Sequence, residues 1–163
     1  MMDLILPAFE LNLWYSQKLV ADVPDEQMCA QPVAGRVLNH AAFLLGHLAW
    51  SADDAAAGQL GLPRACPAGW KELFDIGAQP LPDRSRYPSK AVLLQALADA
   101  HARLADAVTK TPPEVLNQPP PEVFRDRCPT VGALLAVWMT THEATHNGQL
   151  SAWRRAMGLP PVL

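Results

Sequence analysis

Two histidines, His142 and His146, stand four residues apart in the run from Thr130 to Gly158. On a helix that spacing puts both imidazoles on one face, roughly 6 Å apart, close enough for both to bind a single metal ion. The letters His142-Glu143-Ala144-Thr145-His146 also match H-E-x-x-H, the signature of zinc proteases, in which the glutamate is a general base. A protease needs a third metal ligand, usually from a later segment, and an edge strand to hold a peptide. After His146 there is no Asp, Glu, His or Cys, and no alternating strand pattern precedes it, so the protease stands as the remote alternative. A third ligand can come from upstream. His47 lies in an Ala- and Leu-rich run with no proline and is the best-placed candidate. Three buried imidazoles leave several ring nitrogens to satisfy, whereas one divalent ion takes one nitrogen from each ring. Three neutral ligands leave the ion its full charge and open positions, the arrangement of catalytic rather than structural zinc sites. Zinc, nickel and iron all suit such a donor set.

Further candidates surround this trio. Glu143 lies about 100° around the helix from His142 and is a candidate general base, an acceptor that orients a ligand, or simply the partner of a cation. Gln149, one turn past His146, could hydrogen-bond a ligand or the core. Asp54, two turns past His47, could orient a ring, but reads first as part of a solvated helix end. His40, seven residues before His47, and Glu143 are the side chains that could close the coordination sphere, in which case the metal would serve stability or sensing in a non-catalytic bundle. His101 reads as a partly exposed structural histidine, and Trp50, Trp138 and Trp153 as core residues. Arg154 and Arg155 suit a helix C-terminus electrostatically.

The elements that must position these residues follow from periodicity. Residues 3–21 repeat positions Leu4, Ala8, Leu11, Trp14 or Tyr15, and Lys18 or Leu19 at helical spacing, which predicts a first helix with that stripe inward. Residues 37–60 predict a second helix with His40, Phe43 or Leu44, His47, Trp50 or Ser51, and Asp54 on its inner stripe. Residues 61–88 hold five prolines, and Trp70 to Ile76 reads as a short helical turn folded over the core. Ser89 caps a third helix over 90–109. Residues 111–129, with Pro119-Pro120-Pro121, form a second proline-rich loop. Thr130 caps the fourth helix and Gly158 with Pro160 and Pro161 stops it. Its inner stripe is Leu135, Trp138, His142, His146, Gln149 and Trp153. The expectation is an all-α, single domain over residues 1–163, a four-helix bundle with long proline-rich loops between helices two and three and between three and four.

Composition narrows the function classes. The chain has 163 residues, half of them hydrophobic, enough for one domain with a real core. A net charge of −3 with scattered Lys and Arg argues against nucleic acid and anionic membrane surfaces as partners. Cys29, Cys66 and Cys128 are odd in number and form no C-x-x-C pair, which fits reduced thiols in a cytoplasm. The N-terminus lacks the pattern of a signal peptide, and no apolar run reaches about 18 residues.

Leu44-Leu-Gly-His47-Leu-Ala-Trp50, Tyr87-Pro-Ser-Lys90 and above all His142-Glu-Ala-Thr-His146-Asn-Gly-Gln-Leu150 with Trp153-Arg-Arg-Ala-Met-Gly-Leu-Pro-Pro161 resemble the DinB-like family of bacterial metalloproteins. The resemblance runs from the first helix to the end and is most specific in the last motif. It implies an up-down-down-up order of helices, a homodimer in many members, and a metal triad that carries over to His47, His142 and His146. It also implies an activity class, since some relatives are transferases or isomerases using a low-molecular-weight thiol such as mycothiol, bacillithiol or glutathione. A metal-dependent enzyme acting on a small molecule, of the thiol S-transferase type, is the function expected on that basis.

Overall fold

The computed structural model describes residues 2–163, with side chains from Leu4 onward. Four long helical segments carry the core: α1 (Met2–Val20), α2 (Ala41–Leu60), α4 (Lys90–Lys110) and a final segment made of α6 (Val131–Val137), a π-turn (Trp138–His142) and α7 (Glu143–Ala156). Short helix α3 (Trp70–Phe74) forms where the sequence predicts a helical turn, and α5 (Pro113–Leu116) sits in the second proline-rich connection, together with 3-10 turns at Arg84–Arg86 and Glu122–Phe124. The described residues contain no strand, so the all-α expectation holds. α2 packs against α4 and α7, and α1 against the same two, so the helices close a ring in which α1 and α2 are separated by α4 on one side and α7 on the other.

The caps are those the sequence calls for. Ser89 Oγ accepts from the Val92 amide and Thr130 Oγ1 from the Ala133 amide. Gly61 ends α2 in the left-handed region at φ 70°, a conformation that glycine adopts without penalty. Two expectations about helix faces are corrected. The α1 stripe of Leu4, Ala8 and Leu11 faces outward, with Leu4 84 % exposed, while Phe9, Ser16, Leu19 and Val20 are buried. Both faces of α1 are apolar at helical spacing, and the packed partners, not the pattern, select between them. α2 begins at Ala41, four residues later than expected, because His40 is its N-cap: Nδ1 accepts from the Phe43 amide at 3.2 Å and Nε2 donates to Leu81 O at 2.8 Å. His40 therefore stands before the helix and not on its inner stripe.

The final segment departs furthest from a regular helix. The π-turn inserts one extra residue, and its effect is visible in burial. Upstream, Val131, Leu134 and Leu135 are buried; downstream, Met139, Glu143, Asn147, Leu150, Trp153 and Arg154 are. An uninterrupted helix would have continued through 138, 142, 146 and 149, as the sequence reading had it. Trp138, expected in the core, is half-buried, whereas Trp50 and Trp153 are buried as expected. Arg154 does more than suit a helix end. Its buried guanidinium pairs with Asp22 and donates to Leu19 O at 3.1 Å and Pro160 O at 2.6 Å, fastening the end of α1 and the C-terminal segment to α7.

Candidate metal centre

α2 and the final segment bring three imidazoles together. His47 Nε2 and His146 Nε2 each lie 3.1 Å from His142 Nε2. Among the described residues this is the one group of three or more His, Cys, Asp or Glu whose ligand atoms all fall within 4.8 Å of one another. His47 comes from the middle of α2, His142 from the last position of the π-turn and His146 from the first turn of α7. His47 is buried; His142 and His146 are half-buried, so the cluster has a closed side toward the core and an open side toward solvent.

The outer nitrogens fix the tautomers. His47 Nδ1 donates to Phe74 O at 2.7 Å, and a carbonyl can only accept, so in the neutral ring Nε2 carries the lone pair. His146 Nδ1 donates to Gln149 Oε1 at 3.0 Å with the same result, and Asn39 Nδ2 donates to that oxygen at 3.1 Å. His142 Nε2 thus faces two lone pairs and has at most one proton to offer. One of the two contacts is left without a hydrogen bond, and a cation satisfies all three nitrogens at once. Two nitrogens each about 2.05 Å from a tetrahedral ion stand about 3.3 Å apart, close to the spacing found. The donor set therefore fits a divalent metal ion. Burial holds all three rings below the ordinary histidine range, His142 at about 3 and His146 at about 4, and for these two the neighbouring imidazoles add to the effect. Neutral rings at physiological pH are what a metal requires.

The other candidates fall in three different places. Gln149 is exposed and holds the His146 ring. Asp54 does not touch the cluster; it pairs with Arg64 at 2.6 Å and, with Trp50, Ser51, Asp75, Ile76, Trp138 and His142, lines a cavity of about 70 Å³. Glu143 is turned away from the cluster into the core, 3 % exposed, with Oε1 2.7 Å from His101 Nε2. That contact is close but out of line, since neither His101 Nε2 nor Glu143 Oε2 makes a hydrogen bond of good geometry. Burial pushes the Glu143 carboxyl well up and the His101 ring down to about 3, so both favour their neutral forms. His101 is itself buried, contrary to expectation, and stacks on Phe9 with ring centres 3.8 Å apart.

The general model of the DinB superfamily matches residues 8–150 of the chain. The protein belongs to the DinB superfamily. Searches of curated proteins and of solved structures return no match. In this DinB-superfamily chain the sequence reading missed three contributors to the site and one buried carboxylate away from it. Phe74 O orients His47, Asn39 supports Gln149, Asn12 meets the π-turn, and Asp53, not its neighbour Asp54, is the buried carboxylate of α2. Asp53 accepts from the amides of Ala65 and Cys66 and pairs with Arg103, tying the connection after α2 to α4. The Asp-Asp pair gives no local signal as to which faces inward. Among the described residues, no helix is long and apolar enough to cross a membrane.

Proposed function

We propose that His47, His142 and His146 hold one divalent ion, zinc, nickel or iron, and that the protein is a metal-dependent enzyme acting on a small molecule, of the low-molecular-weight-thiol S-transferase type. The observation that carries the metal reading is the convergence of three Nε2 atoms whose outer nitrogens are committed to Phe74 O and Gln149 Oε1 in two of three rings. An ion bound there would supply a Lewis acid that lowers the pKa of a bound thiol or water. The chain's own residues do the rest. Phe74 and Gln149 keep a proton on each Nδ1, so each Nε2 stays available. Side chains that could have closed the sphere are engaged elsewhere, His40 as the cap of α2 and Glu143 against His101, which supports an open position and a catalytic site over a structural one. The cavity beside His142 offers the substrate two indoles, a serine and two carboxylates, and Trp50 leaves its indole N–H uncommitted. The burial of Glu143 supports a structural role for it and weighs against the protease, whose glutamate must reach a metal-bound water. The thiol class, a homodimer and the up-down-down-up order come from the family resemblance, and the cytoplasmic setting from the unpaired cysteines; the pairing of Asn12 with Met139, Ser16 with Asn147 and Leu19 with Arg154, which runs α1 and the final segment in the same direction, supports the helix order.

Elemental analysis of untagged protein purified without chelator, wild type beside His47→Ala and His142→Ala, tests the metal reading. Near-stoichiometric metal that is lost in both variants is expected. A wild type that carries no metal and cannot be loaded would overturn it. Loaded protein is then assayed for thiol transfer with glutathione, mycothiol and bacillithiol against electrophile panels.

A further inference from the structure

The π-turn is placed where the metal reading needs it. It displaces the buried stripe by one residue, so that Glu143 and Asn147 occupy the core positions and His142 and His146 move about 100° around the helix to the half-exposed flank that meets His47 of α2. A π-turn widens the helix and disturbs its carbonyl partners, and such distortions persist where other groups take those carbonyls. Here two side chains do so. Asn12 of α1 donates through Nδ2 to Met139 O and to Thr140 O, at 3.3 Å each, and Thr140 Oγ1 donates to Ala136 O at 2.6 Å. An amide NH₂ has two protons, and two carbonyls can be served by no other face of the asparagine.

Asn12 is itself held. Its own carbonyl accepts from Asn147 Nδ2 at 3.0 Å, and Ser16 Oγ donates to Asn147 Oδ1 at 2.6 Å, with Ser16 and Asn147 both 1 % exposed. A buried polar network of this kind is strong when fully satisfied and costly when broken. It fixes α1 against the final segment within the distortion, at residues 139–140, and beyond it, at 147.

We propose that Asn12 is a positioning residue for the histidine cluster: its two hydrogen bonds keep the π-turn open, and the open turn sets the azimuth of His142 and His146. The inference rests on the metal reading only for what the cluster binds. Asn12→Asp keeps the volume and removes the donor; Asn12→Leu removes both polar atoms; Thr140→Val removes the second carbonyl partner by a milder route. Arg103→Gln, which weakens the Asp53 latch far from the turn, is the control for general loss of stability.

Two readouts separate positioning from folding. Hydrogen exchange in metal-free protein should rise at least tenfold more over residues 139–146 in the Asn12 variants than in the control. Cobalt(II) titration should show affinity lowered about 10- to 100-fold, as for other residues that orient metal ligands, with an altered visible absorption band. Thr140→Val should move both readouts in the same direction and serves if the Asn12 variants do not fold. Unchanged exchange over 139–146 with an unchanged cobalt spectrum, alongside a lower Tm, would overturn the proposal. If wild type takes up no cobalt the metal reading fails, and the exchange measurement still decides whether Asn12 holds the turn.

Discussion

Gly46 precedes a proposed metal ligand in the middle of α2, and the Phe74 ring lies directly against it. An ideal Cβ at this position would stand 2.5 Å from Phe74 Cδ1 and closer still to Cε1 and Cζ, well inside van der Waals contact. The ring cannot swing aside freely. Phe74 is fully buried among Trp70, Tyr87 and Phe43, with ring centres at 5.0, 5.9 and 6.5 Å. Gly46→Ala therefore sets two terms against each other: a gain of about 1 kcal/mol in helix propensity and an overpacking cost of about 3 kcal/mol, the upper end for an insertion of this kind. The net expectation is a loss of about 2 kcal/mol. Moving Phe74 also moves the carbonyl that holds His47 Nδ1, so zinc affinity should fall about tenfold or more. Urea denaturation and competition with a chromophoric chelator measure the two effects. Gly58→Ala is the internal control: it lies in the same helix with nothing within 4 Å of its added Cβ, and should stabilise by about 0.5–1 kcal/mol. If Gly46→Ala is as stable as Gly58→Ala and binds zinc as wild type does, the coupling of α3 to the site is wrong.

The same structure sets other outcomes. Metal at 100 times its dissociation constant should raise stability by about 2.7 kcal/mol and Tm by roughly 5–10 °C, reversed by chelator, as scanning calorimetry would record. Asp53→Ala, which leaves two amides without their acceptor and frees Arg103, should cost about 1–3 kcal/mol in denaturant titration, whereas Asp54→Ala, which breaks an exposed pair with Arg64, should cost under about 1 kcal/mol. Burial pushes the Cys29 thiol to about 11 and the Cys66 thiol to about 12. Each holds roughly a hundredfold or more less thiolate at pH 8 than an ordinary cysteine, so alkylation of native protein should be slow and should keep rising tenfold per pH unit past pH 9, where a free thiol levels off. Mass spectrometry of iodoacetamide-treated protein checks this, and labelling at the free-cysteine rate in the native state would contradict it.

The metal candidates were legible because they depend on short-range spacing. His142 and His146 are one turn apart whether or not a distortion precedes them, and His47 sits in a proline-free apolar run. The caps at Ser89, Thr130 and Gly61 were legible for the same reason, each being a property of one residue and its immediate neighbours. What the sequence concealed was azimuth. The π-turn has no compositional signal, because it is stabilised by Asn12 from 127 residues away, and a uniform 3.6-residue period therefore placed Trp138 and Gln149 where Met139 and Leu150 lie. Glu143 looked like a companion of the histidines for the same reason, and His101, its core partner, looked exposed. On α1 and at Asp53-Asp54 the local pattern was symmetric, and only tertiary contacts break the symmetry.

The carbonyl of Phe74 has a consequence for how such a protein can change. Of the groups that hold the cluster, it alone comes from the connection between α2 and α4, a segment the core anchors through Trp70, Phe74, Pro80 and Tyr87 and leaves open to change elsewhere. A lineage could therefore retune its metal by altering residues 61–89 while every ligand stayed the same. Within the superfamily, metal preference would then track the composition of that connection more closely than the identity of the three histidines.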